Sequence, residues 1–405
     1  MSEELHSVHN RESTLLFKTY NRYPLHIRKA SGTKLYDAEG REYTDFLAGI
    51  SVCNLGHCPP ELAEAICEQA KRLVHVSNLF YQDEQLELAE RLLGTCSLER
   101  VFLCNSGAEA NEAAIKLARR YMQKVRGRQA FEVLSLQNSF HGRTLGTLAA
   151  TGQEKIKEGF QPLPEGFRSV QATTVEDMEQ AIGEHTAGVL LEVVQGEGGV
   201  QPLSETYLRD LRELCRQRDI LFMVDEIQTG MGRTGTMWAH QHFDLQPDVF
   251  TVAKALANGL PIGAMLASEE VGAAFGPGAH GTTFGGGALV SKAASEVLRI
   301  MERDGLCSRS AEMGALAFDR LRQVQARYPD SVSAVRGLGL MLGVELAYPA
   351  QPVWERLLQQ GFVCNVTQEK VLRLLPPLII SREEIEGFAS ALETALHQEM
   401  QASDR

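Results

Sequence analysis

The sequence lacks the features of several specialised protein classes. No window approaches the roughly 18 apolar residues of a membrane span, which argues against a membrane protein. The first residues, MSEELHSVHNRESTLL, include acids and no apolar stretch, so we expect no signal peptide and a cytoplasmic location. There is no run of like charge and the formal net charge is -12, so nucleic acid is not an expected partner.

Cysteine pairs of the kind that bind zinc are also missing. The eight cysteines are scattered, and the CxxC spacing does not occur. Cys53 and Cys58 flank His57, but no second pair of ligands follows. We therefore expect no metal site, and instead the reduced, mostly buried thiols of a cytosolic protein.

What is present is the composition of an ordinary globular protein with an excess of glycine. The 405 residues are 44% hydrophobic and 23% charged, and they include 36 glycines, many in short clusters. From about residue 100, short apolar runs alternate with helical patterns, which predicts an α/β fold on a largely parallel sheet. After Ser291 the pattern predicts a smaller α+β unit. In it, Ser310 is expected to cap one helix, and Ser381 with Glu384 forms a capping box before the last one.

Two opposite charges follow two apolar runs of the predicted sheet. Residues 220–224 lead to Asp225, and residues 249–252 lead to Lys254. In open α/β sheets, ligands bind at the edge where the carboxyl ends of the strands meet. Burial lowers the pKa of a lysine, which a reactive amine needs. The same stretches also fit a lysine whose head group reaches solvent and an aspartate in a salt bridge.

A third feature is the stretch from residue 105 to residue 111, which follows a strand and opens a long helix. Ser106 offers a hydroxyl and Gly107 permits close approach of the backbone. The free N–H groups of the helix N-terminus favour a phosphate. The stretch matches neither GxGxxG nor a P-loop, so an ordinary capped turn is the alternative.

Three loops carry weaker signals. Phe140 and Arg143 could supply a stacking face and a carboxylate clamp, or could belong to a polar loop. Glu197 lies in a glycine-rich loop, and Thr282 and Thr283 lie in another. In this order along the chain, the features supply what pyridoxal 5'-phosphate requires, namely a phosphate cradle, a ring face, a carboxylate against the ring nitrogen and a Schiff-base lysine.

Motifs over nearly the whole chain carry a family resemblance. They are LYDAEGREYTDFLAGI, NLGHCPPEL, NSGAEANEAAIKLAR, SFHGRTLGTLAATGQ, VVQGEGGV, DEIQTGMGRTG, AKALANGLPIGAM and RLLPPLII. With them the sequence resembles the class III (subgroup II) aminotransferases, which depend on pyridoxal phosphate, and within them the acetylornithine/succinylornithine aminotransferase family. His141, where ornithine δ-aminotransferases have Trp, resembles the acetylornithine branch.

The resemblance implies roles for individual residues. At the cofactor, Lys254 is the Schiff-base lysine, Asp225 contacts the ring nitrogen, Gln228 the ring hydroxyl and Phe140 the ring face. The phosphate is bound by Ser106, Gly107 and Ala108. It is also bound by Thr283, which the other subunit of a homodimer donates. Those at the substrate are Arg143 for the α-carboxylate, Thr282 as a further contact, and the pair Glu197 and Arg373, which separates when the keto acid binds.

The resemblance also implies the fold and the reaction. The fold is the type I aminotransferase fold, with residues 1–55 in the small domain, residues 56–300 as the large cofactor-binding α/β domain, and residues 301–405 completing the small α+β domain. The reaction is transfer of the terminal amino group of N2-acetylornithine to 2-oxoglutarate, with succinylornithine, ornithine or 4-aminobutyrate as alternative donors. A lyase or aminomutase on the same scaffold and a catalytically silent relative are the other classes considered.

Overall fold

The structure, a computed structural model, describes residues 3–403. Its helices are α1 (Glu3–Leu15), α2 (Ala48–Ser51), α3 (Pro60–Arg72), α4 (Asp83–Leu93), α5 (Gly107–Arg120), α6 (Leu145–Ala150), α7 (Val175–Ala181), α8 (Glu205–Arg218), α9 (Glu269–Gly272), α10 (Ala288–Arg303), α11 (Leu306–Arg327), α12 (Gln351–Gln359) and α13 (Arg382–Ser403). A π-helical turn (Tyr121–Val125) follows α5, and 3₁₀ turns cover Glu154–Ile156, Ala239–Phe243 and Lys254–Ala257.

The strands form four sheets. They are β1 (Ile27–Ser31), β2 (Lys34–Asp37), β3 (Glu42–Asp45), β4 (Arg100–Cys104), β5 (Glu132–Leu136), β6 (Phe167–Val170), β7 (Thr186–Leu191), β8 (Val194–Gln195), β9 (Gln201–Pro202), β10 (Leu221–Asp225), β11 (Val249–Val252), β12 (Gly263–Ala267), β13 (Val332–Leu338), β14 (Met341–Leu346), β15 (Phe362–Val363), β16 (Asn365–Thr367) and β17 (Val371–Leu374).

The large sheet has seven strands in the order β4-β12-β11-β10-β7-β5-β6. All its neighbouring pairs are parallel except those of β12, which runs antiparallel to both β11 and β4. Every residue of β7, β10, β11 and β12 is buried, as expected for strands covered on both faces. The prediction of a mainly parallel α/β sheet is confirmed. Because β7, β10 and β11 point the same way, the residues that follow them meet at one edge.

The long helix after β4 begins where the sequence predicted. Ser106 is the N-cap of α5, and its hydroxyl accepts a hydrogen bond from the N–H of Glu109 at 3.2 Å. α5 contacts β11 and β12, and its buried face consists largely of alanine and leucine. Small side chains allow the helix to approach the sheet closely, which brings its N-terminus to the carboxyl edge of β10 and β11.

The N-terminal and C-terminal parts of the chain share a sheet. β15 adds to the meander of β1, β2 and β3 by pairing in parallel with β3. A second four-stranded sheet, in the order β13-β14-β17-β16, lies in the C-terminal part. We therefore propose the division into residues 1–55, 56–300 and 301–405, with the first and last parts in one small domain.

Two predictions about helix ends have different outcomes. The capping box before α13 is confirmed, because Ser381 N donates to the Glu384 carboxylate at 2.9 Å and Glu384 N donates to Ser381 Oγ at 3.2 Å. The prediction that Ser310 caps a helix is wrong. The helix α11 starts at Leu306, and the buried Ser310 instead donates its hydroxyl to the backbone carbonyl of Arg233 at 3.0 Å. This tertiary contact has no signature in the local sequence.

Neither a membrane-spanning helix nor a metal cluster is found in the part of the chain that the structure describes. None of the described helices is long and apolar enough to cross a membrane. Within residues 3–403, no group of three or more His, Cys, Asp or Glu residues is arranged to hold a metal ion.

Candidate active site

A cavity of about 420 Å³ opens at the carboxyl edge of the large sheet. Asp225 is the last residue of β10, and Lys254 lies two positions after the end of β11. Both line the cavity, together with residues from the loops after β4, β5 and β7. The parallel strands thus bring the predicted carboxylate and amine into one space.

Asp225 is held as a hydrogen-bond acceptor by three neighbours. Its Oδ2 accepts a hydrogen bond from Asn111 Nδ2 at 2.8 Å and lies 2.8 Å from His141 Nδ1. Its Oδ1 accepts a hydrogen bond from Ile227 N at 3.0 Å. The carboxylate is buried, so these contacts fix its orientation toward the cavity and compensate for the loss of solvent. Such a carboxylate suits a partner that carries a proton on a ring nitrogen.

Lys254 sits in a backbone conformation that is unusual for a residue with a side chain. Its φ is 42°, in the left-handed region, and such strain concentrates at functional sites. Burial lowers the pKa of Lys254, although the carboxylates of Glu197 and Asp225 oppose this shift. The lowered pKa brings the amine closer to the neutral form that acts as a nucleophile or a base.

The start of α5 forms one wall of the cavity. Gly107 and Ala108 are its first two residues, so their N–H groups have no acceptor within the helix and remain available to an anion. Ser106, Gly107 and Ala108 all line the cavity. A Cβ added to Gly107 would lie 2.8 Å from Ile227 Cδ1, so only glycine leaves this space open.

The loop after β5 brings Phe140 and Arg143 to the cavity. The guanidinium carbon of Arg143 lies 5.6 Å from the centre of the Phe140 ring, within the range of a cation–π contact. Arg143 is exposed, whereas its neighbour His141 is buried. The loop therefore offers a flat apolar face inside the cavity and a free cation at its mouth.

Glu197 and Arg373 form an ion pair beside Lys254. Arg373 Nη1 donates to Glu197 Oε1 at 2.6 Å and to Gln228 Oε1 at 3.2 Å, and its Nε donates to Asn365 at 3.1 Å. Burial opposes the ionisation of Glu197, but Arg373 and Lys254 hold its pKa below the ordinary value. The Arg373 side chain is almost fully buried and that of Glu197 is 31% exposed, so Glu197 is the more accessible partner of the pair.

Thr282 and Thr283 are not among the residues that line this cavity. Thr282 Oγ1 accepts a hydrogen bond at 3.1 Å from Nδ2 of Asn105, a residue that does line the cavity. Thr283 is exposed. Within a single chain, these two hydroxyl groups and Arg373 do not line the cavity, whereas the other predicted site residues do.

The N-terminal part contributes a wall that sequence reasoning missed. Val52 lines the cavity and follows α2, a left-handed turn whose residues all have positive φ values between 48° and 67°. Ser51 Oγ accepts a hydrogen bond from Arg233 Nε at 3.0 Å and donates to the backbone carbonyl of Gln228 at 3.2 Å. These contacts hold a strained turn against the loop that follows Asp225.

Four further residues at the site had no predicted role there. Ile227 and Glu192 line the cavity directly, and Asn111 and His141 contact Asp225. The position of Glu192 at a strand end before a glycine-rich loop was visible in the sequence. The contacts of Asn111 were not, because a side chain in the first turns of a helix carries no signature of the strand it will face.

The residues present fit pyridoxal phosphate. An anion site at the N-terminus of α5, an apolar face from Phe140, a fixed carboxylate at Asp225 and a lysine with a lowered pKa surround a single cavity. A mainly parallel sheet that presents these groups at its carboxyl edge suits a pyridoxal-phosphate-dependent enzyme.

Comparison with known families agrees with this class. Residues 17–396 match the family model described as aminotransferase class-III. The chain belongs to this family.

Proteins of known sequence extend the comparison. The chain is 45% identical over 374 residues to the acetylornithine aminotransferase of Methanocaldococcus jannaschii, covering 92% of this chain and 94% of that protein. It is 46% identical over 381 residues to the acetylornithine aminotransferase of Methanothermobacter thermautotrophicus, covering 94% and 96%.

Solved structures share the whole fold. The ornithine aminotransferase of Toxoplasma gondii superposes with a TM-score of 0.95 at 32% identity, covering 98% of this chain and 96% of that chain. The acetylornithine aminotransferase of Elizabethkingia anophelis superposes with a TM-score of 0.87 at 28% identity, covering 97% and 99%. The predicted type I aminotransferase fold is thereby confirmed.

Proposed function

We propose that this aminotransferase moves the terminal amino group of N2-acetylornithine to 2-oxoglutarate, giving N-acetylglutamate 5-semialdehyde and glutamate. The carrying observation is the ion pair between Arg373 and Glu197, in which Glu197 lines the cavity together with Lys254. The similarity to acetylornithine aminotransferases over nearly the whole chain supports the choice of donor.

We assign the cofactor contacts to residues that line the cavity. The N–H groups of Gly107 and Ala108, with the Ser106 hydroxyl, would hold the phosphate, while Phe140 packs on the ring. Asp225 would keep the ring nitrogen protonated, and Gln228 would contact the ring hydroxyl. Bound pyridoxal phosphate supplies an electron sink for the carbon that carries the amino group.

Lys254 would bind the cofactor and then move the proton. Burial lowers the pKa of its amine, which can therefore take a proton from the carbon that bears the amino group of the donor. When the amino group passes to the keto acid, the same amine can return a proton to the acceptor carbon. Lys254 lies two residues after β11 and opens the 3₁₀ turn Lys254–Ala257, so its backbone is held between a buried strand and a regular turn.

The count of carboxylates explains how one site accepts two different substrates. N-Acetylornithine has one carboxylate, which Arg143 would bind at the mouth of the cavity, with Thr282 as a further contact. 2-Oxoglutarate has two carboxylates and needs a second cation. Glu197 neutralises Arg373 while the donor is bound, and its partial exposure allows it to leave when the second carboxylate arrives.

We also propose a homodimer in which Thr283 reaches the phosphate of the partner's site. Thr283 is exposed and lies away from its own cavity, although the other phosphate contacts line it. Nearby, Leu79, Phe80 and Tyr81 are 88%, 61% and 102% exposed, an apolar surface of the kind that interfaces cover. Asn78, next to them, donates to the carbonyl oxygens of Thr282 and Gly285 at 3.3 and 3.1 Å, so this surface is continuous with the threonine loop.

A cytoplasmic location completes the proposal. All eight cysteines are free, which suits a reducing compartment. Only Cys104, Cys215 and Cys364 are buried, so the prediction of mostly buried thiols is wrong. Fractionation of cells that express the chain with a small tag tests the proposed location, and recovery with the envelope or the medium would contradict it.

A comparison of amino donors tests the proposed substrate. Purified holoenzyme is assayed with N-acetylornithine, succinylornithine, ornithine and 4-aminobutyrate at equal concentration, with 2-oxoglutarate as acceptor. We expect the highest kcat/KM with N-acetylornithine. A preference for one of the other donors would overturn the donor assignment while leaving the transfer reaction intact. Turnover without any keto acid would instead indicate a lyase or mutase, and the absence of a yellow holoenzyme would indicate a silent relative.

A further inference from the structure

Glu192 is a buried acid in the cavity that has no part in the proposed reaction. It follows the last residue of β7, lines the cavity and is 5% exposed. Its Oε2 accepts a hydrogen bond from the backbone N–H of Phe140 at 3.1 Å. Its Oε1 accepts one from the backbone N–H of Gly196 at 3.3 Å. A single carboxyl group therefore holds two loops that come from different strands.

Both loops carry residues with proposed functions. Phe140 offers its ring to the cofactor, and Gly196 directly precedes Glu197, which masks Arg373. The loop is tightly packed at this point, because a Cβ on Gly196 would lie 2.1 Å from Gln228 Oε1. A shift of Gly196 would therefore displace both Glu197 and the amide of Gln228.

We infer that Glu192 is a positioning residue that fixes the cofactor-facing ring of Phe140 relative to the Glu197 gate. The inference rests on the proposed function. One carboxyl group then positions two loops: the loop that faces the cofactor, and the loop that distinguishes the monocarboxylate donor from the dicarboxylate acceptor. A carboxylate suits this task because its two oxygens can each accept one backbone N–H in a fixed geometry.

The charges around Glu192 give this clamp a dependence on pH. His141, Asp225 and Lys254 are the charged or titratable groups that act on it. Burial raises the pKa of Glu192 to about 7, with a further increase from Asp225, while His141 and the two backbone N–H groups oppose the shift. Protonation turns one acceptor oxygen into a hydroxyl that faces an N–H, so the clamp loosens below about pH 7.

The contribution of Glu192 to the free energy of unfolding changes with pH in the opposite direction to the strength of the clamp. The pKa in the folded protein lies above the ordinary value of 4.5, so the folded state binds more protons than the unfolded state between these values. The contribution of Glu192 to the free energy of unfolding therefore decreases as the pH rises from 4.5 to about 7. The ionised clamp positions the loops at a cost in stability, which distinguishes it from a group that serves stability alone.

Two variants and one control separate positioning from simple packing. Glu192→Gln keeps the volume but replaces one acceptor oxygen with an NH₂ group, and Glu192→Asp keeps the carboxylate but withdraws it by one methylene. The control is Glu226→Gln, since Glu226 is also buried and accepts hydrogen bonds from His240 N at 2.9 Å and from Thr229, but does not line the cavity.

The readouts are the dissociation constant of pyridoxal phosphate across pH 5.5 to 9, the ratio of KM for 2-oxoglutarate to KM for the amino donor, and the melting temperature.

In wild type we expect cofactor binding to weaken below about pH 7. In Glu192→Gln we expect roughly tenfold or greater loss of cofactor affinity, an altered KM ratio and no inflection near pH 7. Glu192→Asp should keep an inflection with weaker binding. Glu226→Gln should lower the melting temperature without changing the ratio or the inflection.

The inference is overturned if Glu192→Gln binds cofactor like wild type with an unchanged KM ratio. It is also overturned if the pH dependence of cofactor binding by Glu192→Gln still has an inflection near pH 7. If Glu192→Gln does not fold, the wild-type inflection and Glu192→Asp carry the test, and an inflection absent from both overturns the inference. Failure of wild type to transfer amino groups would refute the proposed function separately, since cofactor binding still reports on Glu192.

Discussion

The imidazole Nε2 of His57 lies 2.7 Å from Oδ2 of Asp45, and this pair ties the chain after α2 to the end of β3. The other oxygen of Asp45 accepts hydrogen bonds from the N–H groups of Leu47 and Ala48 at 2.8 and 2.9 Å. The hydrogen bond to Asp45 and a contact with Cys53 raise the pKa of His57 to about 10, against the effect of burial. The pair is therefore ionic at neutral pH and fixes the segment that carries the left-handed turn.

Stability should depend on this pair at alkaline pH. Because the pKa of His57 is raised from 6.5 to about 10 on folding, its stabilisation is complete below about pH 6.5 and is lost as the pH rises toward 10. Denaturant unfolding at pH 6, 8 and 10 should show this decline in wild type. In His57→Gln the decline should be much smaller, with roughly 1 to 3 kcal/mol less stability at pH 6. His242→Gln is the control, since His242 contacts the backbone carbonyl of Thr234 and the ring of Phe243 rather than a carboxylate. An identical pH dependence in wild type and His57→Gln would refute the prediction.

Removing the charge of Glu197 should change the balance between the two substrates. In Glu197→Gln, Arg373 keeps a polar neighbour but is no longer neutralised. We expect kcat/KM for the monocarboxylate donor to fall roughly tenfold or more relative to that for 2-oxoglutarate. Half-reactions followed by absorbance measure each substrate separately. Glu393→Gln breaks another ion pair, with Arg327, outside the cavity and serves as control. Equal losses for both substrates would argue against a gate.

Replacing the carboxylate of Asp225 should slow the chemistry more than it harms the fold. Asp225→Asn keeps the shape of the side chain, but it removes the negative charge that faces the cavity and Asn111. We expect kcat to fall about 10²-fold or more, with weaker cofactor binding. Asp248→Asn is the matched control, because Asp248 precedes β11 at the opposite end of the strand and pairs with Arg212. Similar rates in wild type and Asp225→Asn would remove Asp225 from the chemistry.

Mixed dimers test the proposed role of Thr283. Thr283→Ala should weaken cofactor binding roughly tenfold, although the residue is exposed in its own chain. A dimer of one Thr283→Ala chain and one Lys254→Ala chain then contains one site with both residues intact, if Thr283 serves the partner. We expect such heterodimers, isolated with two different tags, to recover about half the wild-type activity at limiting cofactor. No recovery would place Thr283 in its own site.

Arg233 should be a major source of stability between the parts of the chain. It is fully buried and donates to Ser51 at 3.0 Å and Asn54 at 2.6 Å in the N-terminal part, and to the carbonyls of Leu340 at 3.0 Å and Pro376 at 2.6 Å in the C-terminal part. Arg233→Lys keeps a charge but cannot reach these four acceptors together. The free energy of unfolding should therefore fall by about 3 kcal/mol or more.

Denaturant unfolding of the holoenzyme measures this loss. Arg322→Lys is the control, since Arg322 is exposed and contacts the Phe318 ring at 6.0 Å. An Arg233→Lys variant as stable as the control would show that the four acceptors do not require a guanidinium.

Much of the large domain could be read from local patterns. Continuous apolar runs predicted the buried strands, and their order along the chain predicted that Asp225 and Lys254 would meet at one edge, where both line the cavity. Ser106 and the capping box at Ser381 were readable because a cap involves residues only three positions apart. In these cases, the interacting groups are neighbours in sequence or are placed by the regular geometry of strands.

The sequence by itself therefore determined the buried strands that lead to Asp225 and Lys254, the cofactor class and the positions where the reactive groups emerge. Only the tertiary structure decided that Glu192 joins Phe140 to Gly196, that Asn111 and His141 hold Asp225, and that Ser310 contacts Arg233 instead of capping a helix. These contacts join side chains to groups many residues away. Their partners are selected by how the finished elements pack, which neither the periodicity nor the propensity of a short segment specifies.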